Sequence, residues 1–94
     1  MISDKEFLER IKLGIEKKEK DNALEYVPTD DKLFVYLKDF SIVLGLSLNP
    51  TKEKAKENLA KELLKYYRVL ESNEFILEGK PRQDLNFIRK LLSN

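Results

Sequence analysis

Apolar residues recur at four-residue steps in Phe7, Ile11 and Ile15, with Leu8 beside them, and this spacing predicts an amphipathic helix over about residues 4–20. Ser3-Asp4-Lys5-Glu6 at its start has the form of a capping box, and Lys17-Lys18-Glu19-Lys20-Asp21-Asn22 closes it in polar residues. The period then changes from about four to two. Phe40, Ile42, Leu44, Leu46 and Leu48 alternate with Ser41, Val43, Gly45, Ser47 and Asn49, which predicts a half-buried strand over residues 40–48. Residues 32–38 are rich in β-formers. A two-residue turn at Lys38-Asp39 would pair Leu37 with Phe40, Val35 with Ile42 and Leu33 with Leu44, so that six apolar side chains share one face. Lys-Asp is not a favoured pair for such a turn, and a helix over 31–46 stays open as the alternative. A shorter extended segment, 24–27, stops at the turn-forming Pro28-Thr29-Asp30-Asp31.

Pro50-Thr51 opens a second long helix, with Thr51 as its N-cap and Ala55, Leu59, Leu63, Tyr66 and Leu70 on one face as far as about residue 71. Ala60, Leu64 and Tyr67 widen that face. Residues 74–78 look extended, Gly79-Lys80-Pro81 breaks them, and Leu85, Ile88 and Leu92, with Phe87 and Leu91, form a short terminal helix. The expected architecture is therefore α+β, in the order α-β-β-β-α: a three-stranded antiparallel sheet with two helices on one face, and a C-terminal extension ending in a short helix. Residues 1–72 would form the domain and 73–94 the extension.

Composition narrows the chemistry. With 94 residues, 41% hydrophobic and 37% charged, the chain has the balance of one soluble globular domain. The lack of cysteine excludes disulfides, thiolate nucleophiles and zinc–thiolate sites, and suits a reducing, intracellular compartment, cytoplasm or nucleus. The lack of histidine as well removes the commonest general base, so no catalytic residue, metal site or cofactor is expected, and the chain reads as a binder and not an enzyme. Asp30-Asp31 is the one adjacent acidic pair, and in a turn it reads as solvated. The longest apolar runs fall far short of the roughly 20 residues of a membrane span. Net charge is +1, but it is uneven: residues 1–48 carry eight Lys/Arg against ten Asp/Glu, and residues 49–94 ten against seven.

Lys52, Lys54 and Lys56 crowd the start of the second helix, where the backbone dipole already disfavours cations, and a bound anion would relieve that strain. The run from Thr51 to Leu64, T-K-E-K-A-K-E-N-L-A-K-E-L-L, together with the small residues of Gly45-x-Ser47-x-Asn49 and the order of elements over 3–71, resembles the double-stranded RNA-binding domain. The resemblance implies that the second helix points its start at phosphates across the major groove, recognising duplex shape without reading bases. Thr51 would cap that start, Lys52 and Lys56 would contact phosphate, and Lys54 joins them by position.

The alternative is a protein-interaction or dimerisation module on the same fold. Glu53 stands where the family has a second lysine, and the acidic Asp30-Asp31 turn replaces the family's loop between the first two strands. Phe34, Tyr36 and Val43 fall on the sheet face opposite the paired core residues and would form an apolar patch unless residues 74–93 fold over them. The Tyr66-Tyr67 pair could offer a stacking platform for bases, but its place on the apolar side of the helix puts at least one ring in the core.

Overall fold

The computed structural model describes residues 2–38, 40 and 51–93, and the backbone of 44–47. In order along the chain stand α1 (Asp4–Lys20), β1 (Leu24–Pro28), β2 (Leu33–Leu37), β3 (Leu44–Ser47), α2 (Lys52–Ser72), a 3-10 turn (Glu74–Ile76) and α3 (Gly79–Leu92). β1 pairs antiparallel with β2 from Leu24↔Leu37 to Pro28↔Leu33, and β3 runs antiparallel along the other edge of β2.

The class is α+β, but the expected arrangement of two helices and an appended tail is not the one adopted. There are three helices among the described residues, and α3 is 14 residues long. Of residues 74–78 only Leu77 and Glu78 are extended, because Glu74–Ile76 close into a tight turn through Ile76 N–H to Asn73 O at 3.0 Å. Gly79-Lys80-Pro81 starts a helix instead of breaking a strand. Gly79 takes φ +62°, a left-handed conformation open to glycine, and Pro81 sits in a first turn whose amides have no partner to lose.

The expected pairing within β2–β3 is also corrected. Val35 lies opposite Gly45, and Leu33 opposite Ser47, not Ile42 and Leu44. The register is displaced by three residues, and an odd displacement exchanges the two faces of a strand. Leu37 and Leu44 are therefore joined by a longer connection than Lys38-Asp39, in keeping with the absence there of the glycine or asparagine that tight hairpins need. Phe40 is turned to another use: its ring packs on Tyr66 and Phe87, with centroids 6.0 and 5.1 Å away. Ile42 lies outside the described residues.

The helix starts follow the sequence. Ser3 Oγ accepts from Glu6 N–H at 3.2 Å, and Thr51 Oγ1 from Lys54 N–H at 3.3 Å. At the other end of α1, Asn22 adopts φ 59° while Ala23 N–H reaches back to Lys18 O at 2.8 Å, turning the chain into β1.

One hydrophobic core joins every layer. Phe7, Ile11 and Ile15 of α1, Leu33, Val35 and Leu37 of β2, Leu59, Leu63 and Tyr67 of α2, and Leu85, Ile88 and Leu91 of α3 are all buried within it. α2 crosses β2 and β3, while α3 packs on α1 and α2. At the α1–α3 crossing Gly14 is buried, and a Cβ there would lie 2.7 Å from Leu91 O. Both members of the Tyr66-Tyr67 pair are engaged. The Tyr67 ring lies 5.1 Å from Phe7, and the Tyr66 hydroxyl donates to the buried Asp84 carboxylate of α3 at 2.7 Å.

Candidate functional site

The start of α2 is where charge was expected to serve a ligand. Lys56 is directed inward: its side chain is only 13% exposed, and its ammonium lies 3.0 Å from Glu19 at the end of α1 and 3.2 Å from Glu53. Glu19 Oε2 in turn accepts from the Tyr26 hydroxyl of β1, so one carboxylate ties α1, β1 and α2 together. The Lys52 ammonium stands over the Tyr26 ring, 4.8 Å from its centroid, and Lys54 lies 3.6 Å from Glu57. The structure thus gathers Thr51, Lys52, Lys54 and Lys56 at one helix start, but there Lys54 and Lys56 meet Glu19, Glu53 and Glu57 and Lys52 meets the Tyr26 ring. The neighbouring crevice, of about 120 Å³, is lined by Lys12 and Lys56 against Glu16, Glu53 and Glu57.

Proton affinities follow from these contacts. The hydrogen bond from Tyr26, then that from Lys56, holds the Glu19 carboxyl below the usual 4.5. Burial, then the bond to Glu19, pushes the Tyr26 hydroxyl up. Burial acts to lower the Lys56 ammonium, but its bonds to Glu19 and Glu53 outweigh that and raise it above 10.5. Because the folded value of Glu19 is depressed, its contribution to stability is complete above 4.5 and is lost as pH falls through the folded value. Glu19→Gln is expected to flatten the acid limb of stability against pH below about 4.5. Lys56→Ala should cost ~1–3 kcal/mol in urea denaturation by stranding the partly buried carboxylate. An unchanged midpoint would show that Lys56 is free to serve a ligand.

Phe34 and Tyr36 of the sheet patch are half-buried on the strand that carries Leu33, Val35 and Leu37 to the core, and Val43 lies outside the described residues. Val27, paired with Phe34, adds to that face. α3 occupies the helix layer and packs on α1 and α2.

Sequence reasoning missed the most exposed apolar feature among the described residues. In the turn between α2 and α3, Phe75 is fully exposed (100%) and Ile76 largely so (76%), with Val69 in the last turn of α2 at 60%. The turn is clamped from both sides. Arg89 of α3 grips the Glu74 carboxylate through two parallel bonds of 2.8 and 2.9 Å, and the Arg82 guanidinium donates to the carbonyls of Glu74 and Leu77. Asn73 Nδ2 adds a bond to Val69 O at 2.8 Å. The hydrogen bonds from Arg89 keep the Glu74 carboxyl below its ordinary range. A legible signal did exist: three consecutive apolar residues, Phe75-Ile76-Leu77, between two helices cannot all turn inward from one tight turn.

Compared with known proteins, the chain matches no family model, no curated sequence and no solved structure. Among the described residues no helix is long and apolar enough to cross a membrane, and no group of three or more acidic side chains is placed to hold a metal.

Proposed function

We propose that this chain is a protein-binding module that uses the Phe75-Ile76 turn as its anchor, in preference to a duplex-RNA binder acting through the start of α2. The observation that carries this reading is a fully exposed phenylalanine on a backbone held by a bidentate Arg89–Glu74 pair. Leaving a phenylalanine and an isoleucine in water forgoes ~1.5–3 kcal/mol for each side chain, which a partner's pocket recovers. The clamp lowers the entropic cost of docking, since the anchor is already in place. Aromatic side chains dominate interface hot spots for the same reason. Phe34, Tyr36 and Val27 offer a second, less exposed apolar surface for the same class of partner.

The duplex-RNA reading retains the exposed Lys52 and Lys54 beside the Thr51 cap. Against it stands the local balance of charge, because phosphate contact at Lys56 would require breaking its bonds to Glu19 and Glu53. Two measurements test the choice. A photo-crosslinking residue at position 75, in cells that make the protein, is expected to give a discrete adduct, while the same residue at the exposed Lys61 gives none. A duplex of about 16 base pairs, the span of the RNA-binding class, is expected to show no salt-sensitive binding. No adduct at position 75, or tight RNA binding lost in Lys52→Glu/Lys56→Glu, would reverse the assignment.

A further inference from the structure

α3 is the basic element of an otherwise slightly acidic chain. Of its five charged residues four are cationic, Lys80, Arg82, Arg89 and Lys90, while the rest of the chain carries fourteen Lys/Arg against sixteen Asp/Glu. Its one acid, Asp84, is buried and accepts from the Tyr66 hydroxyl, so α3 turns no carboxylate of its own to the outside. Lys80, Gln83, Asn86 and Lys90 are exposed along its outer face, which follows directly on the Phe75-Ile76 turn. At the far end a cleft of about 150 Å³ opens towards α1, where Lys17, Lys18 and Lys90 stand with Asp21 around the Phe87 ring. The fold accounts for some of these charges. Arg82 and Arg89 hold the turn, and Lys90 in the last turn suits the helix dipole. Lys80 has neither reason: it stands in the first turn, where the dipole favours acids, and that turn contains none.

We infer that the partner of the Phe75-Ile76 anchor is an acidic protein segment, which receives the anchor and runs along the outer face of α3 past Lys80 towards Lys18 and Lys90. The inference rests on the reading of that turn as a protein-binding anchor and adds the chemistry of what docks there. Charge complementarity carries it, because the surface that continues from the anchor is cationic on a molecule whose remainder is not. Area calls for such a continuation. One aromatic anchor buries only roughly 150–250 Å², far less than the ~800 Å² per partner of a stable interface, and a helix of 14 residues extends the contact by about 21 Å. The spacing of the charges selects a peptide over a nucleic acid. Lys80 and Lys90 stand about 15 Å apart along the helix, a span that carboxylates four to five residues apart on an extended segment match. A duplex presents a charge every ~1.7 Å, far more densely, and Ile76 offers a base nothing to stack on.

Photo-crosslinking from two positions of the full chain, in cells that make it, tests the inference: position 75 at the anchor, and the exposed position 83 between Lys80 and Lys90. The expected result is an adduct of the same mass from both. Mass spectrometry should place the position-83 crosslink in a segment where Asp and Glu outnumber Lys and Arg. Lys80→Glu/Lys90→Glu should lower the yield of both adducts at least ~5-fold, as two attractive contacts become repulsive, while Lys80→Arg/Lys90→Arg retains them. Circular dichroism should show both variants folded, since the two lysines are exposed. Three outcomes overturn the acidic partner and leave the anchor standing: an adduct at position 75 with none at 83, a position-83 crosslink in a neutral or basic segment, or yields unchanged by the glutamate pair. No adduct at position 75, or one made of nucleic acid or lipid, would sink both readings.

Discussion

A chain ending at Ser72 is expected to show no cooperative urea or thermal transition. The truncation removes Leu85, Ile88, Leu91 and Leu92, whose exposures are 0, 0, 1 and 8%. Burying one such side chain contributes about 2 kcal/mol. Four of them together rival the whole stability of a small domain, ~5–15 kcal/mol. The truncation also deprives Tyr66 of its Asp84 acceptor and leaves one side of α1 without its packing partner. Loss of the sigmoidal transition by circular dichroism, with increased binding of a hydrophobic dye, is the expected readout. A 1–72 chain that unfolds with the full-length midpoint would show α3 to be dispensable to the core.

Substitution at Gly14 should have the next largest effect. An alanine Cβ there meets Leu91 O at 2.7 Å and Leu91 Cβ at 3.2 Å. The carbonyl belongs to the backbone of α3 and cannot rotate aside, so the helices must separate. Overpacking of this kind costs ~1–3 kcal/mol, and more when backbone has to move. Alanine gains about 1 kcal/mol of helix propensity over glycine, which offsets part of the loss. Gly14→Ala is thus expected to lower stability by roughly 1–2 kcal/mol. Gly14→Leu should approach the effect of the truncation, because its side chain would occupy the space of α3 itself. An alanine variant more stable than wild type would show that α1 and α3 are not in close contact.

These two experiments bear on the part of the molecule that periodicity alone assigned least well. The terminal apolar set Leu85, Ile88, Leu91 and Leu92 was legible as a helix, but a helix with an apolar face does not say which other face it meets. Gly14 carries the missing information, and it reads in the sequence as an ordinary weak point of α1. Only the closeness of Leu91 gives it meaning.

The candidate site shows the same division. That Lys52, Lys54 and Lys56 gather at a helix start is written in their spacing and in the Thr51 cap. That Lys56 is neutralised by Glu19, 37 residues earlier, is not, because sequence displays charges on one helix but not those brought to it by another. The β2–β3 register had the converse fault. The all-apolar pairing was locally consistent, yet it gave Phe40 to the sheet, whereas the Phe40 ring packs on Tyr66 and Phe87, a contact between distant segments.

By itself, the order of residues determined where the first two helices begin, which of their faces are apolar, and where the first two strands run. Those features depend on neighbours within one turn or one pleat, through capping groups and side-chain period. Tertiary structure alone decided that the last helix completes the core, that the lysines hold elements together, and that Phe75 and Ile76 are left in water. Each of these depends on what a side chain meets across space, and the free energy of burial or ion pairing exists only once both partners have been brought there.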